Sequence, residues 1–365
     1  MARSTINEPV TRQSRSIDAV TALNIPVSRA SGTQLPVKYG AWLVGPWFDL
    51  LIFANMLWPV WLLVMAMGDG FAGTEGLRFW QVYFVTTPHR WITLAVVFLD
   101  RERLNRQRGL FFGAAAVVVV TCAGVQWTTG KLTCLLAIDY VWNAWHFAAQ
   151  HHGVYRIYDR MADSARTAGL RIEKFLFRAF LLYVTVRLAA GTWSSSFADI
   201  WLERADWLLA AVPAGLVLRD LTRWREQAWG RLAYLISVST LYLSLLAAVH
   251  AQKPALALML TTASALFHAT EYLGLIGWMV HRRHCERGDA LGMLGWLAPR
   301  WVAVLILFAI VLGASGWMIE HQFLQAWLFI NVIAAFLHYI YDGMIWRRPR
   351  ASARRDAAIV AAAVV

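Results

Sequence analysis

The segment DYVWNAWHFAAQHH, residues 139–152, decides how this chain is read. Asp139, Asn143, His146 and Gln150 follow one another at spacings of four, three and four residues. At about 100° per residue these spacings put all four on one narrow stripe of a helix. The residues around them, from Leu132 to Tyr155, are mainly Leu, Ala, Val, Trp and Phe. A helix this apolar that crosses a bilayer turns its polar stripe towards a bundle interior, a cavity or an ion, and not towards lipid.

The whole chain has the same character. Of 365 residues, 59% are hydrophobic and only 15% are charged. The mean hydropathy is +0.48, which excludes an ordinary soluble domain. Several apolar runs reach the roughly 20 residues that span a hydrocarbon core. Barrel strands would alternate apolar and polar positions, and that alternation is missing. The expected fold class is therefore all-α, a polytopic integral membrane helix bundle. The net charge of +12 sits largely on arginines in short loops between apolar runs. These read as topology signals and not as a nucleic-acid surface. The 20 tryptophans suit interfacial belts. Cys122, Cys134 and Cys285 form no CxxC pair and no disulfide framework.

Residues 1–38 are polar and basic and contain no apolar core followed by a cleavage site, so a disordered cytoplasmic tail is expected there. A transmembrane helical domain is expected over 39–348, followed by a cytoplasmic C-terminal tail, 349–365. The apolar runs give ten spans: 42–67, 78–100, 109–128, 132–155, 174–192, 205–220, 231–250, 254–280, 300–319 and 325–346. The sixth is short and carries Pro213. Basic residues cluster after every second span, at Arg101–Arg108, Arg156–Arg171, Arg219–Arg225, Arg282–Arg287 and Arg347–Arg355. The intervening loops 68–77, 129–131, 251–253 and 320–324 hold at most a single lysine. This alternation places both termini in the cytoplasm, and a wrong span count would break it.

Each even-numbered span except the sixth then carries one deep histidine: His89, His146, His268 and His338. Each lies about 11 to 15 residues from the outer end of its span, which is one layer near the midplane. A single histidine in a membrane helix is often only a hydrogen-bonded packing residue. Four at one depth on like-oriented helices point to a shared metal ion. One turn later come Gln150, Glu271 and Asp342, on the same helix faces as His146, His268 and His338. These three are candidate ligands, catalytic groups or partners that orient the rings. Thr93 follows His89 on its face. Imidazole with carboxylate and no thiolate suits iron, copper or zinc. His151 and His152 point off the stripe near the cytoplasmic end, with His152 a possible extra ligand. Asp49 and Asp139 are further acids at comparable or outer depth. Arg90, beside His89, could snorkel or bind an anionic group. His250, His281, His284 and His321 fall at helix ends or in loops, where solvated residues are expected.

Four segments resemble a known family: PHRWITLAVVFLD (Pro88–Asp100), WHFAAQHHG (Trp145–Gly153), LFHATEY (Leu266–Tyr272) and FLHYIYDG (Phe336–Gly343). They are similar to the Brp/Blh group of bacterial and archaeal membrane proteins, which cleave β-carotene to retinal with iron held by histidines on several membrane helices. Pro88-His89 with Asp100, His146-Phe147, and His338 with Asp342 carry the likeness. The chain departs from the family in its larger number of spans and its longer N-terminal tail. It also has Glu271 and Tyr272, where the family's third motif has a second histidine, and a different Pro88–Asp100 spacing. The resemblance implies a histidine-ligated iron and an apolar substrate; the expected partners are dioxygen and a lipid-soluble molecule such as a carotenoid, another isoprenoid or a fatty chain, and the expected location is the inner membrane of a bacterium.

Three function classes follow. The first is a membrane-embedded non-haem iron oxygenase or related oxidoreductase, with the bilayer, dioxygen and a hydrophobic small molecule as partners and no nucleic acid. The second is a proton-coupled transporter, since buried His, Asp and Glu also build proton relays. The third is a b-type haem electron carrier, which needs two facing axial histidines.

Overall fold

Prolines open two of the helices that build the bundle. Pro46 and Pro254 stand in the first turn, where a missing N–H removes no hydrogen bond. The computed structural model describes residues 42–68, 74–162, 170–190, 196–222 and 228–346. The tails at 1–38 and 349–365, and the loop arginines Arg166, Arg223 and Arg225, lie outside the described residues. The described residues form helices and turns, with no strand among them. This agrees with the absence of alternation in the sequence.

Eight helices follow in order. Helix α1 is a bent pair, Pro46–Phe53 and Trp58–Met67, with 49° between its halves. Helix α2 runs without interruption through Thr74–Trp80, Gln81–Thr86 and Thr87–Leu99. Then come α3, Arg101–Thr129, α4, Thr133–Met161, α5, Leu170–Ala190, α6, Ser196–Leu221, α7, Trp229–His250, and α8, Pro254–Arg287. Short helical turns lead to Trp301–Ile345, which breaks at Phe323 (φ −139°, ψ 58°). We call its arms α9 (301–322) and α10 (324–345). A Cβ on Gly316 would lie 2.5 Å from the Trp327 ring. Residues 11 apart on a straight helix are about 16 Å apart, so the chain doubles back at Phe323 into a helical hairpin.

Local chemistry sets the helix ends. The Asp100 carboxylate accepts from the Arg103 N–H at 3.0 Å and caps α3. Gly130, at φ 64°, closes that helix in the left-handed region. The break in α1 places Asn55 at φ 47°, a conformation that asparagine tolerates. Its amide donates to Thr270 Oγ1 on α8 at 2.5 Å. Ahead of Pro88, the six residues Gln81–Thr86 wind as a π-helix, a wider turn of the kind that accommodates a disrupted ladder.

Gly76–Leu99, Arg101–Thr129, Trp229–His250 and Met293–Ile345 are each long and apolar enough to cross a membrane, and the bent pair of α1 is a fifth such segment if counted as one span. Large apolar side chains face outwards, among them Trp127 (91% exposed) and Met67 (82%). Exposed apolar surface on this scale marks a membrane protein. Each of the ten apolar ranges read from the sequence overlaps described helical residues, and α6 is one continuous helix despite Pro213.

The buried apolar residues form two clusters. One joins α1 and α4 to α8; the other joins α2, α3, α4, α8 and α10. Helices α4 and α8 belong to both, so the junction runs between them. Arginines near the helix ends pair with buried acids. Arg156 pairs with Asp159. Arg219 meets Glu173 at 2.7 Å, and the fully buried Arg231 meets Asp159 and Asp220, each at 3.0 Å. Acids on neighbouring helices compensate these cations, as burial of charge requires.

Candidate metal centre

Helices α2, α4, α8 and α10 each bring one buried histidine to the junction of the two clusters. Ring centroids are 5.2 Å apart for His89–His268, 5.0 Å for His89–His338, 5.1 Å for His146–His268 and 4.7 Å for His146–His338. The four rings thus close a circuit. Ligand atoms of His89, His146 and His268 all lie within 4.8 Å of one another. His338 joins through its Nε2, which is 3.0 Å from His146 Nε2. With metal–nitrogen bonds of about 2.1 Å, rings on one ion at right-angled to tetrahedral separations would have centroids roughly 4.6–5.3 Å apart. The three mutually close ligand atoms could therefore hold one metal ion, and His338 stands beside that group.

Hydrogen bonds fix which nitrogens are free to coordinate. His89 Nδ1 lies 2.5 Å from the Thr86 carbonyl. A carbonyl only accepts, so Nδ1 carries the hydrogen and Nε2 keeps its lone pair. On the other side, Tyr272 OH donates to Asp342 Oδ1 at 2.8 Å, and Trp346 Nε1 donates to the same oxygen at 2.7 Å. Tyr272 therefore accepts from Thr93 Oγ1 at 2.7 Å, and Thr93 accepts from His338 Nδ1 at 2.7 Å. This leaves the His338 Nε2 lone pair facing His146. An N–H···N bond would also account for that 3.0 Å contact, but it leaves His268 unexplained. Both ring nitrogens of His268 are buried without a partner, a costly arrangement unless something binds them. Phe147 stacks on the His268 ring at 3.8 Å and closes that face.

The other sequence candidates lie around this circuit. Gln150 donates to the His268 carbonyl at 2.9 Å and to Glu271 Oε1 at 3.0 Å. Glu271 turns to His151 Nδ1 at 3.0 Å and to the Tyr234 hydroxyl at 2.8 Å. Asp342 Oδ2 stands 4.0 Å from His146 Nδ1. Glu271 and Asp342, like His338, stand outside the group of mutually close ligand atoms formed by His89, His146 and His268. Asp139 and Asn143 both accept from the Tyr339 hydroxyl, at 2.9 and 3.1 Å.

Other polar residues read from the sequence stand elsewhere. Asp49 accepts from the backbone N–H groups of Leu43 and Val44 and from Tyr158, so it fastens the chain entering α1 and stands apart from the centre. Asp100 pairs with Arg283 at 2.9 Å. His250 bonds Asp206 at 2.9 Å and so is not a free solvated residue. His151, read as near an interface, is fully buried, and its Nε2 meets no partner. His152 Nε2 is also buried without one, but its ring packs on Phe177 on the α5 side.

Tyr272 was not singled out by the residue reading. It stands four residues after His268, on the same helix face, which is the signal that could have identified it. No family model matches the chain, and no curated protein or solved structure does either.

Proposed function

We propose that this protein is a membrane-embedded oxygenase or related oxidoreductase that uses iron and acts on a lipid-soluble substrate. The observation that carries the reading is the closed circuit of four buried imidazoles, one from each of four helices. His89, His146, His268 and His338 would hold the ion. Iron with open coordination positions supplies redox chemistry towards dioxygen; copper and zinc suit the same donors.

The remaining roles belong to the chain. Thr86 and Thr93 orient His89 and His338, and Asp342 anchors the Thr93–Tyr272 chain with help from Trp346. Phe147 and the surrounding apolar clusters exclude water. A carotenoid, another isoprenoid or a fatty chain enters from lipid between helices, as the resemblance to the Brp/Blh group suggests. In this reading the ten apolar segments are ten spans, both termini are cytoplasmic and the membrane is a bacterial inner membrane.

Rings packed edge to face at 4.7–5.2 Å leave no slot for a porphyrin plane, which weighs against a haem carrier. The buried run Gln150–Glu271–His151–Tyr234 favours the transporter alternative as a proton path. Uptake driven by a pH gradient and insensitive to chelators would select that alternative. The test of the main reading is elemental analysis of purified protein after iron-supplemented growth. We expect near-stoichiometric metal in the wild type and a large loss in His268→Ala. Less than about a tenth of an equivalent of any transition metal in the wild type would end the metal reading.

A further inference from the structure

The metal reading leaves Arg90 unexplained. It stands beside His89, nine residues before Leu99 at the end of α2, which is about 13 Å along the helix axis. Several other arginines at the helix contacts have carboxylate partners. Arg231 pairs with Asp159 and Asp220, Arg187 with Asp206 and Arg283 with Asp100, at 2.9–3.3 Å. Arg178 lies over the Trp145 ring at 5.2 Å. Arg90 forms no ion pair with any described carboxylate, and its Nε is buried without a hydrogen-bond partner. It follows directly on His89 in α2, whose ring belongs to the histidine circuit. Asp139, the acid on the Tyr339 side, accepts from that tyrosine and does not pair with Arg90.

A lone guanidinium at membrane depth is costly and marks a binding function. Phospholipid head groups stay at the bilayer surface, beyond the reach of one side chain from this depth. The counter-anion must then arrive attached to an apolar body. A planar guanidinium fork matches a carboxylate in two parallel hydrogen bonds.

We propose that Arg90 receives the anionic head of an amphiphile, a carboxylate on a long apolar chain, and thereby holds that chain against the histidine centre. Calling the amphiphile a substrate rests on the metal reading; its binding does not.

The test measures binding of oleate, geranylgeranyl phosphate and oleyl alcohol to full-length protein in a nonionic detergent, by calorimetry. Metal content is measured on the same preparations. Oleate should bind the wild type at least about tenfold more tightly than oleyl alcohol, the scale of one charge-assisted contact. Arg90→Gln should abolish that preference, and Arg90→Lys should keep part of it. Tighter binding of the phosphate than of oleate, lost in Arg90→Gln, would keep the anion site and reassign its head group. Equal affinity of the wild type for all three would overturn the proposal, as would an oleate preference that survives Arg90→Gln. If Arg90→Gln does not fold, the wild-type comparison and Arg90→Lys still decide. Metal-free protein that keeps the oleate preference would refute the metal reading alone.

Discussion

At the scale of residues, the metal centre we propose depends on groups outside the histidine circuit. Thr93 joins His338 to Tyr272 and, through it, to Asp342, and all its links are 2.7–2.8 Å long. Thr93→Val keeps the volume but removes the acceptor for His338 Nδ1. Metal affinity should fall about 10- to 100-fold, while Thr93→Ser should stay near the wild type. Competition with a chelator of known affinity measures this, and unchanged affinity in the valine variant would contradict the assigned chain. The four histidines were legible in the sequence because depth along a span is a matter of counting. Their partners were not. Thr93 and Tyr272 are 179 residues apart, and His338 lies 245 residues after Thr93, so the pairing exists only once the helices pack. Glu271 shows the limit of helix-face arguments. It shares a face with His268, yet its carboxylate meets His151 and Tyr234.

At the scale of elements, the hairpin of α9 and α10 depends on close approach. Gly316 lies against Trp327, and Gly313 lies against the Tyr83 carbonyl, where a Cβ would stand 2.7 Å away. Gly316→Leu should destabilise the fold by about 1–3 kcal/mol through overpacking. The check is a lower thermal unfolding midpoint in detergent, and an unchanged midpoint would argue against the hairpin contact. Hydrophobic length located the helices, including both arms of this hairpin. It did not locate the break in α1 at Asn55, since that bend is set by the bond to Thr270 on another helix. It also did not show that Arg156, Arg219 and Arg231 pair with buried acids, because those acids sit on other turns and other helices.

At the scale of the whole molecule, the two apolar clusters meet along α4 and α8, and the histidine circuit occupies that junction. With basic residues after every second apolar segment, the topology we propose leaves the C-terminus in the cytoplasm. A phosphatase fused there should be inactive and a fluorescent protein bright; the reverse pattern would break the ten-span count. The central claim is that four distant imidazoles share one ion. X-ray absorption at the edge of the metal found in purified protein tests it most directly. The account predicts about four nitrogen neighbours near 2.1 Å with imidazole multiple scattering, reduced in His338→Ala. A shell dominated by sulfur, or by oxygen without imidazole, would contradict it.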